Sequence, residues 1–344
     1  MWQLRNTLYV TTPEAYLRLE GETVCVMVEK EKRLQVPMHH LGSIVCFGDV
    51  MLSPALLGRC MADGRSVVWL ERGGRFQARV EGPVNGNILL RQAQYRAADD
   101  IAKTLELARA FLGGKLRNSR HLLLRGARDS QNDAERAVLV RNARLVAGHL
   151  RKLAHATDLD TLRGEEGNAA RIYFQSMQFL IRQPARIDFA FDARSRRPPT
   201  DPMNALLSFL YAVLLHDCRS ALESVGLDPQ LGYLHAVRPG RVALALDLLE
   251  EFRSVVADRL ALTLVNRGQI QGSHFDRREG GAVLLNDDGR KNVIRAYQER
   301  KQETLTHRVL DQQMPIGLLP HIQARLLARY LRGDAPAYVP YLHR

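Results

Sequence analysis

The apolar residues of this chain change their spacing once, and that change constrains the architecture more than any other feature. Up to residue 85 they fall in short β-branched or aromatic runs: Leu8-Tyr9-Val10, Thr23–Val28, Ser43–Phe47, Ser66–Leu70 and Phe76–Val80. Turn formers separate the runs, as in Glu20-Gly21-Glu22, Gly48-Asp49, Gly73-Gly74 and Gly82-Pro83. Such spacing suits a small β-sandwich or roll. One short helix is expected near Ser53–Asp63, where Ser53 can cap and Pro54 fills the first helical position. Past Asn85-Gly86-Asn87 the period becomes helical, over Leu89–Leu112, Asp133–Leu153, Glu165–Leu180, Pro202–Ser224, Val242–Val265, Gly289–Leu310 and Leu318–Leu331. Asp276–Leu285 reads as an extended or hairpin excursion between helices. The predicted class is α+β: a small N-terminal β-sandwich-like domain, residues 1–85, followed by a larger, mostly α-helical domain, residues 86–344.

With 344 residues, 46% of them hydrophobic, the chain can bury a substantial core, which excludes disorder. No uncharged apolar run reaches the ~18 residues of a membrane span. The opening MWQLRNTLYV lacks a signal-like apolar stretch. A cytoplasmic protein without a membrane partner is therefore expected. Cys25, Cys46, Cys60 and Cys218 form no CxxC pair, which argues for buried reduced thiols over a zinc ribbon or disulfide scaffold.

Charge points to the partner. The formal net charge is +12, and only seven of the 49 basic residues are lysines. Residues 1–95 carry a net of +2 and residues 96–344 a net of +10. Arginine grips phosphate with a planar fork, so a basic excess of this kind suggests a polyanion, most often nucleic acid. An arginine-rich proteome from a GC-rich genome would give the same composition.

Three segments carry candidate chemistry. On a helix through Thr161–Phe174, Glu166 lies in phase with Leu162, Ala169, Ala170, Tyr173 and Met177, whereas Glu165 shares a face with Asn168 and Ser176. Glu166 thus points to the apolar side, where a carboxylate needs a cation or hydrogen bonds. Gly164 and Gly167 leave room beside it. A plain helix-start carboxylate, or one paired to Arg163 or Arg171, would look the same. Downstream, Pro239-Gly240 breaks the chain and a helix is expected to begin near Arg241, with Asp247 and Glu250 about 5–6 Å apart on one face. A solvated Asp-x-x-Glu face is the ordinary alternative, as a capped or core imidazole is for His235. Taken together, Glu166, His235 and a second carboxylate form a hard N/O ligand set suited to Mn²⁺ or Mg²⁺. Arg163, Arg171, Arg182, Arg186, Arg238, Arg241 and Arg253 flank it in sequence. His235 has to fold back through the Pro-Gly bend to meet Glu250, because Arg241 to Glu250 already spans about 13 Å of helix.

This pattern resembles the CRISPR-associated adaptation endonuclease, the integrase that inserts new spacers, over nearly the whole chain. Leu8-Tyr9-Val10, Phe47-Gly48, the Ser53 helix and Gly82-Pro83…Leu90-Arg91-Gln92…Gln94-Tyr95 resemble its β domain and the junction after it. Gly164-Glu165-Glu166-Gly167…Tyr173-Phe174 resembles its first catalytic motif, and Pro202–Tyr211 its Asn-to-Tyr helix. Gly226-Leu227-Asp228-Pro229…Gly232-Tyr233-Leu234-His235 resembles the second motif, and Asp247–Arg253 the third. Gly289-Arg290-Lys291 and Gln323–Gly333 resemble the type I-C branch. The resemblance implies metal ligands at Glu166, His235 and Glu250, with Asp247 a further acidic position in a supporting catalytic role. Many members carry Asp where this chain has Glu250, which leaves open whether Glu250 or Asp247 is the closer ligand, with Glu250 preferred. Also implied are a Mn²⁺ or Mg²⁺ cofactor and phosphodiester cleavage and strand transfer on double-stranded DNA, as prespacer and CRISPR repeat. The resemblance further implies a homodimer through the β domains and a small ferredoxin-like CRISPR-associated companion protein. Arg163, Arg171, Arg238, Arg241 and Arg253 are the candidate DNA contacts. The competing class is a non-catalytic nucleic-acid-binding scaffold whose carboxylates only pair with arginines.

Overall fold

A computed structural model describes residues 6–80, 82 and 87–343. The expected junction at 85/86, Pro83 of the expected turn, and the first five residues of the chain lie outside the described residues. Strands β1 (Asn6–Val10), β2 (Tyr16–Glu20), β3 (Thr23–Val28), β4 (Glu31–Pro37), β5 (Leu41–Phe47), β6 (Met51–Leu52), β7 (Ser66–Leu70) and β8 (Phe76–Val80) form two four-stranded sheets. Their orders are β1-β5-β7-β8 and β4-β3-β2-β6. Helix α1 (Pro54–Ala62) begins where the Ser53 hydroxyl accepts the Leu56 N–H at 3.2 Å.

Strand β5 pairs in parallel with both β1 and β7. Its side chains alternate between two cores. Ile44 and Cys46 pack with Leu17, Val24 and Leu56 under the second sheet, while Val45 and Phe47 join the core of the helical part. A strand buried on both faces reads as a continuous apolar run, as parallel strands do. The expected sandwich is therefore sheet on sheet on helices, and Phe47 stacks on Phe209 of the helical part with ring centroids 5.7 Å apart. Strands β2, β4 and β6 escape the sequence reading. β4 is Glu-Lys-Arg-Leu-Gln-Val-Pro, mostly exposed at a sheet edge, with the charges that such edges use against aggregation.

The helical part comprises α2 (Ile88–Asp99), α3 (Ile101–Asp129), α4 (Asp133–Leu153), α5 (Leu159–Gln175), α6 (Met177–Leu180) and α7 (Pro202–Ser224). It continues with α8 (Ala243–Glu250), a π-helical segment over Arg253–Asp258, α9 (Arg259–Asn266), α10 (Asp287–Gln302) and α11 (Leu319–Leu331). Short hairpins pair Phe275–Arg277 with Val283–Leu285 and Thr304–His307 with Gln312–Pro315. The helix expected over 89–112 is two: Asp100 leaves the helix and its carboxylate caps α3, accepting the Ala102 and Lys103 N–H groups at 3.0 and 3.1 Å. α5 starts six residues before Glu165, capped by Asp158 on the Thr161 N–H at 2.7 Å. The helix expected to reach Leu310 stops at Gln302, where Thr304 and Thr306 favour a strand. The helix expected over 242–265 is broken by the π-helical segment.

α7 is long and apolar enough to cross a bilayer by length and composition. Here it is the central helix, with Met203, Leu206, Leu210, Leu214 and Cys218 in the core. All four cysteines are free and buried.

Candidate active site

Four segments meet at the candidate site: α3, α5, α8 with its π-helical continuation, and the loop between α7 and α8. The loop comes first because it carries His235. Asp247, fully buried on α8, is a multiple acceptor for it. Oδ2 takes the Tyr233 and Leu234 N–H groups at 2.6 and 3.0 Å, and Oδ1 takes the His235 N–H at 3.0 Å. Gly232 makes this approach possible, since a Cβ there would lie 2.7 Å from the Ala243 carbonyl carbon and 2.8 Å from Asp247 Oδ2. Arg163 of α5 donates to the Leu234 carbonyl at 3.1 and 2.8 Å, tying the loop to the helix that carries Glu166. The fold-back that the sequence requires of His235 is thus achieved by a carboxylate gathering backbone donors, and α8 starts at Ala243, two residues after the expected Arg241.

The same carboxylate sets the histidine. His235 Nδ1 lies 2.7 Å from Asp247 Oδ1. A carboxylate only accepts, so in the neutral ring the proton sits on Nδ1 and the Nε2 lone pair is free. Nε2 points to Glu250, 3.8 Å from Oε1. Asp247 therefore supports the ring, in the arrangement that orients ligating histidines in metal sites. We expect Asp247→Asn to lower divalent-metal affinity about 10–100-fold, measured by calorimetric Mn²⁺ titration. An unchanged affinity would remove Asp247 from the site.

Glu250 ends α8 and is 2% exposed. Burial alone would raise its pKa, but the nearby charges of Arg253, Lys115 and His235 outweigh it and hold the carboxyl down at about 2. Arg253 reaches Oε1 at 3.1 Å and stacks over Tyr211, 5.1 Å from the ring centroid. Lys115 of α3 lies 2.7 Å from Oε2 and engages that oxygen with its ammonium. The Lys115 ammonium also contacts Glu166 Oε1. Glu166 faces α3 through Lys115 and is 27% exposed, while Glu165 turns to α4, takes His149 at 2.5 Å and is 19% exposed, so both glutamates are half-buried and not Glu166 alone. A Cβ at Gly164 or Gly167 would meet nothing within 4 Å, so α5 is open at these two positions.

The π-helical segment holds these parts in register. Its widened turn aims the buried Asp258 at two tyrosines, accepting from Tyr173 of α5 and Tyr211 of α7 at 2.6 Å each. Next to Glu250, Glu251 faces the opposite way and binds the C-terminal segment, accepting from Tyr338 OH at 2.5 Å and the Tyr341 N–H at 2.7 Å. Burial pushes the Glu251 carboxyl up to about 8.

Glu166, His235 and Glu250 therefore converge, with Asp247 behind the imidazole. Two carboxylates and a free imidazole nitrogen are a donor set that fits Mn²⁺ or Mg²⁺. Among the described residues no three His, Cys, Asp or Glu side chains already close around a metal-sized space. The ammonium of Lys115 lies between the two glutamates instead. Sequence reading misses Lys115, Tyr211 and Asp258; the one available signal is a lysine on a helix in a chain whose other cations are nearly all arginine. Of the arginines, Arg171 and Arg238 are exposed, and Arg241 reaches the Ala236 carbonyl at 3.4 Å. Arg163 and Arg253 are committed to internal contacts, so they do not stand free on a rim. Arg182 and Arg186, four residues apart, line a separate cleft.

The family model for CRISPR associated protein Cas1 matches residues 8–299, and the chain belongs to that family. It is 55% identical over 341 residues to the CRISPR-associated endonuclease Cas1 1 of Moorella thermoacetica, covering 99% of both chains. It is 53% identical over 348 residues to the CRISPR-associated endonuclease Cas1 2 of Rhodospirillum rubrum, again covering 99% of both. Its fold is similar to a Cas1 protein from Thermotoga maritima, with a TM-score of 0.81 at 24% identity over 98% of this chain and 100% of that one.

Proposed function

We propose that the chain is a metal-dependent DNA endonuclease and integrase that inserts foreign DNA fragments as spacers into a CRISPR array, within the type I-C branch of its family. The observation that carries the reading is the Asp247–His235–Glu250 arrangement, in which Nδ1 is held at 2.7 Å so that Nε2 faces the second carboxylate at 3.8 Å. Glu166, His235 Nε2 and Glu250 are the metal ligands and Asp247 orients the imidazole. When bound, Mn²⁺ or Mg²⁺ polarises a non-bridging phosphoryl oxygen and activates the attacking hydroxyl. In integration the nucleophile is the 3′-hydroxyl of the incoming fragment; in plain cleavage it is water. The opening of α5 at Gly164 and Gly167 admits the phosphodiester, and the exposed Arg171 and Arg238 hold phosphates without reading bases. The partners are double-stranded DNA, a second copy of the chain through its β part, and a small ferredoxin-like CRISPR-associated companion. The placement is cytoplasmic.

One observation favours the scaffold reading: Lys115 and Arg253 already compensate both glutamates. Glu166→Ala separates the two. We expect cleavage and strand transfer in Mn²⁺ to fall by about 10³-fold or more, with duplex binding by fluorescence anisotropy retained. Undiminished turnover would sink the ligand assignment of Glu166, and a wild-type protein that binds duplex but shows no turnover in Mn²⁺ would leave the scaffold as the better account.

A further inference from the structure

Two cations hold the two oxygens of Glu250, and they are anchored differently. Arg253 reaches Oε1 at 3.1 Å, follows Glu250 by three residues and stacks over Tyr211 with its guanidinium 5.1 Å from the ring centroid. Those contacts fix it within the π-helical segment. Lys115 comes from α3 on a flexible four-carbon stem. Its ammonium lies 2.7 Å from Glu250 Oε2 and also contacts Glu166 Oε1. Among the described residues that ammonium has no partner other than these two carboxylates.

A divalent ion taking Glu166, Glu250 and His235 Nε2 needs the carboxylate oxygens that Lys115 holds. It would also meet the ammonium at close range, where like charges repel strongly in a partly desolvated site. Either the ion stays out or the ammonium leaves. The ammonium has somewhere to go. Lys115 lines a cavity among α3, α5 and α7 together with Ser119, Tyr211, Arg253 and Asp258. Ser119 lies one turn beyond Lys115 on α3 and is buried. Asp258 accepts from Tyr173 and Tyr211 at 2.6 Å each, and a carboxylate has further lone pairs to offer. The cavity thus holds a hydroxyl and a carboxylate for a displaced ammonium, while Arg253 stays stacked on Tyr211.

We propose that Lys115 is a built-in competitor for the metal: its ammonium holds Glu166 and Glu250 in the metal-free chain and swings towards Ser119 and Asp258 when a divalent ion takes the carboxylates. The buried Glu250 is then compensated in both states, which a lone buried carboxylate would not be. The apparent metal affinity is the intrinsic one reduced to the fraction of chains whose ammonium has left. The site therefore loads at a higher ion concentration than its ligands alone would require. This inference rests on the metal reading above and adds to it the residue that opposes loading.

The test is Lys115→Met, which keeps an unbranched apolar stem and removes the charge, with circular dichroism as the check on folding. Calorimetric Mn²⁺ titration is expected to give binding about 10-fold tighter than wild type, the gain from removing a state that holds about nine chains in ten. Without metal the variant melts below wild type, and saturating Mn²⁺ narrows that gap. Affinity equal to or weaker than that of wild type overturns the proposal and makes Lys115 a fixed counter-ion, with the proposed function left standing. Should the variant not fold, the wild-type protein decides. It has only seven lysines, so their ammonium groups can be followed by nitrogen NMR, with the Lys115 signal assigned by its loss in Lys115→Arg. A Lys115 signal that shifts in step with Mg²⁺ binding supports displacement, and one unmoved at saturating Mg²⁺ overturns it. If neither wild type nor variant binds Mn²⁺, the metal reading itself fails, and this inference with it.

Discussion

Glu250→Gln is expected to remove strand transfer and cleavage by about 10³-fold or more, about 4 kcal/mol in the barrier. The substitution keeps shape and burial and takes away one charge. In the wild-type protein that charge does two things. It faces His235 Nε2 across 3.8 Å, and it answers Arg253 and Lys115, whose side chains are only 14% and 12% exposed. A neutral amide in its place would leave Arg253 with no carboxylate at 3.1 Å and Lys115 with Glu166 alone. A fall in melting temperature therefore accompanies either role of Glu250. A Mn²⁺ titration of turnover distinguishes them: loss of a ligand lowers turnover at the wild-type Mn²⁺ concentration and shifts the dependence to higher metal. Wild-type turnover at the wild-type Mn²⁺ concentration would make Glu250 a structural counter-ion only.

Lys301→Met is expected to cost about 3–5 kcal/mol of folding stability, read by chemical denaturation, although the residue is far from the candidate ligands in sequence and contact. Lys301 lies 2.9 Å from Asp217, the two side chains are 6% and 14% exposed, and Tyr297 donates to the same carboxylate at 2.8 Å. The pair joins α7 to α10, beside the sheet that α10 touches when Gln298 donates to the Thr7 carbonyl at 2.7 Å. Removing the cation strands a buried carboxylate, and Asp217→Asn in the same chain should recover much of the loss. Acid should mimic the single change. Burial raises the Asp217 pKa, but Lys301 outweighs it and the folded value is lowered. The contribution is thus complete above the ordinary carboxylate value of about 4 and is lost as pH falls through the lower folded value. Equal stability of wild type and Lys301→Met above that window would refute the pairing.

Where the period of apolar residues is strong, the sequence is a sufficient guide. Thr23–Val28, Ser66–Leu70, Asp133–Leu153 and Pro202–Ser224 match their elements end to end, and Ser53 caps the helix its neighbour Pro54 announces. Where an element is polar or bent, the guide fails: β4 hides behind its charges, and the widened turn after Glu250 has no local signature.

Local pattern determines which helix a carboxylate belongs to and which face it takes, because side-chain direction follows backbone period. It carried the reading as far as separate faces for Glu166 and Glu165, and to a histidine with two candidate carboxylates. Only the tertiary structure decided what each charge meets. It set Asp247 against the His235 loop and Glu250 against Arg253, Lys115 and His235 Nε2, turned Glu251 towards Tyr338 and Tyr341, and brought Lys115 from α3 between two glutamates. The reason is physical: a buried charge is stabilised by whatever opposite charge or donor the packing brings within a few ångströms, and those partners come from segments as far apart along the chain as residues 115 and 250.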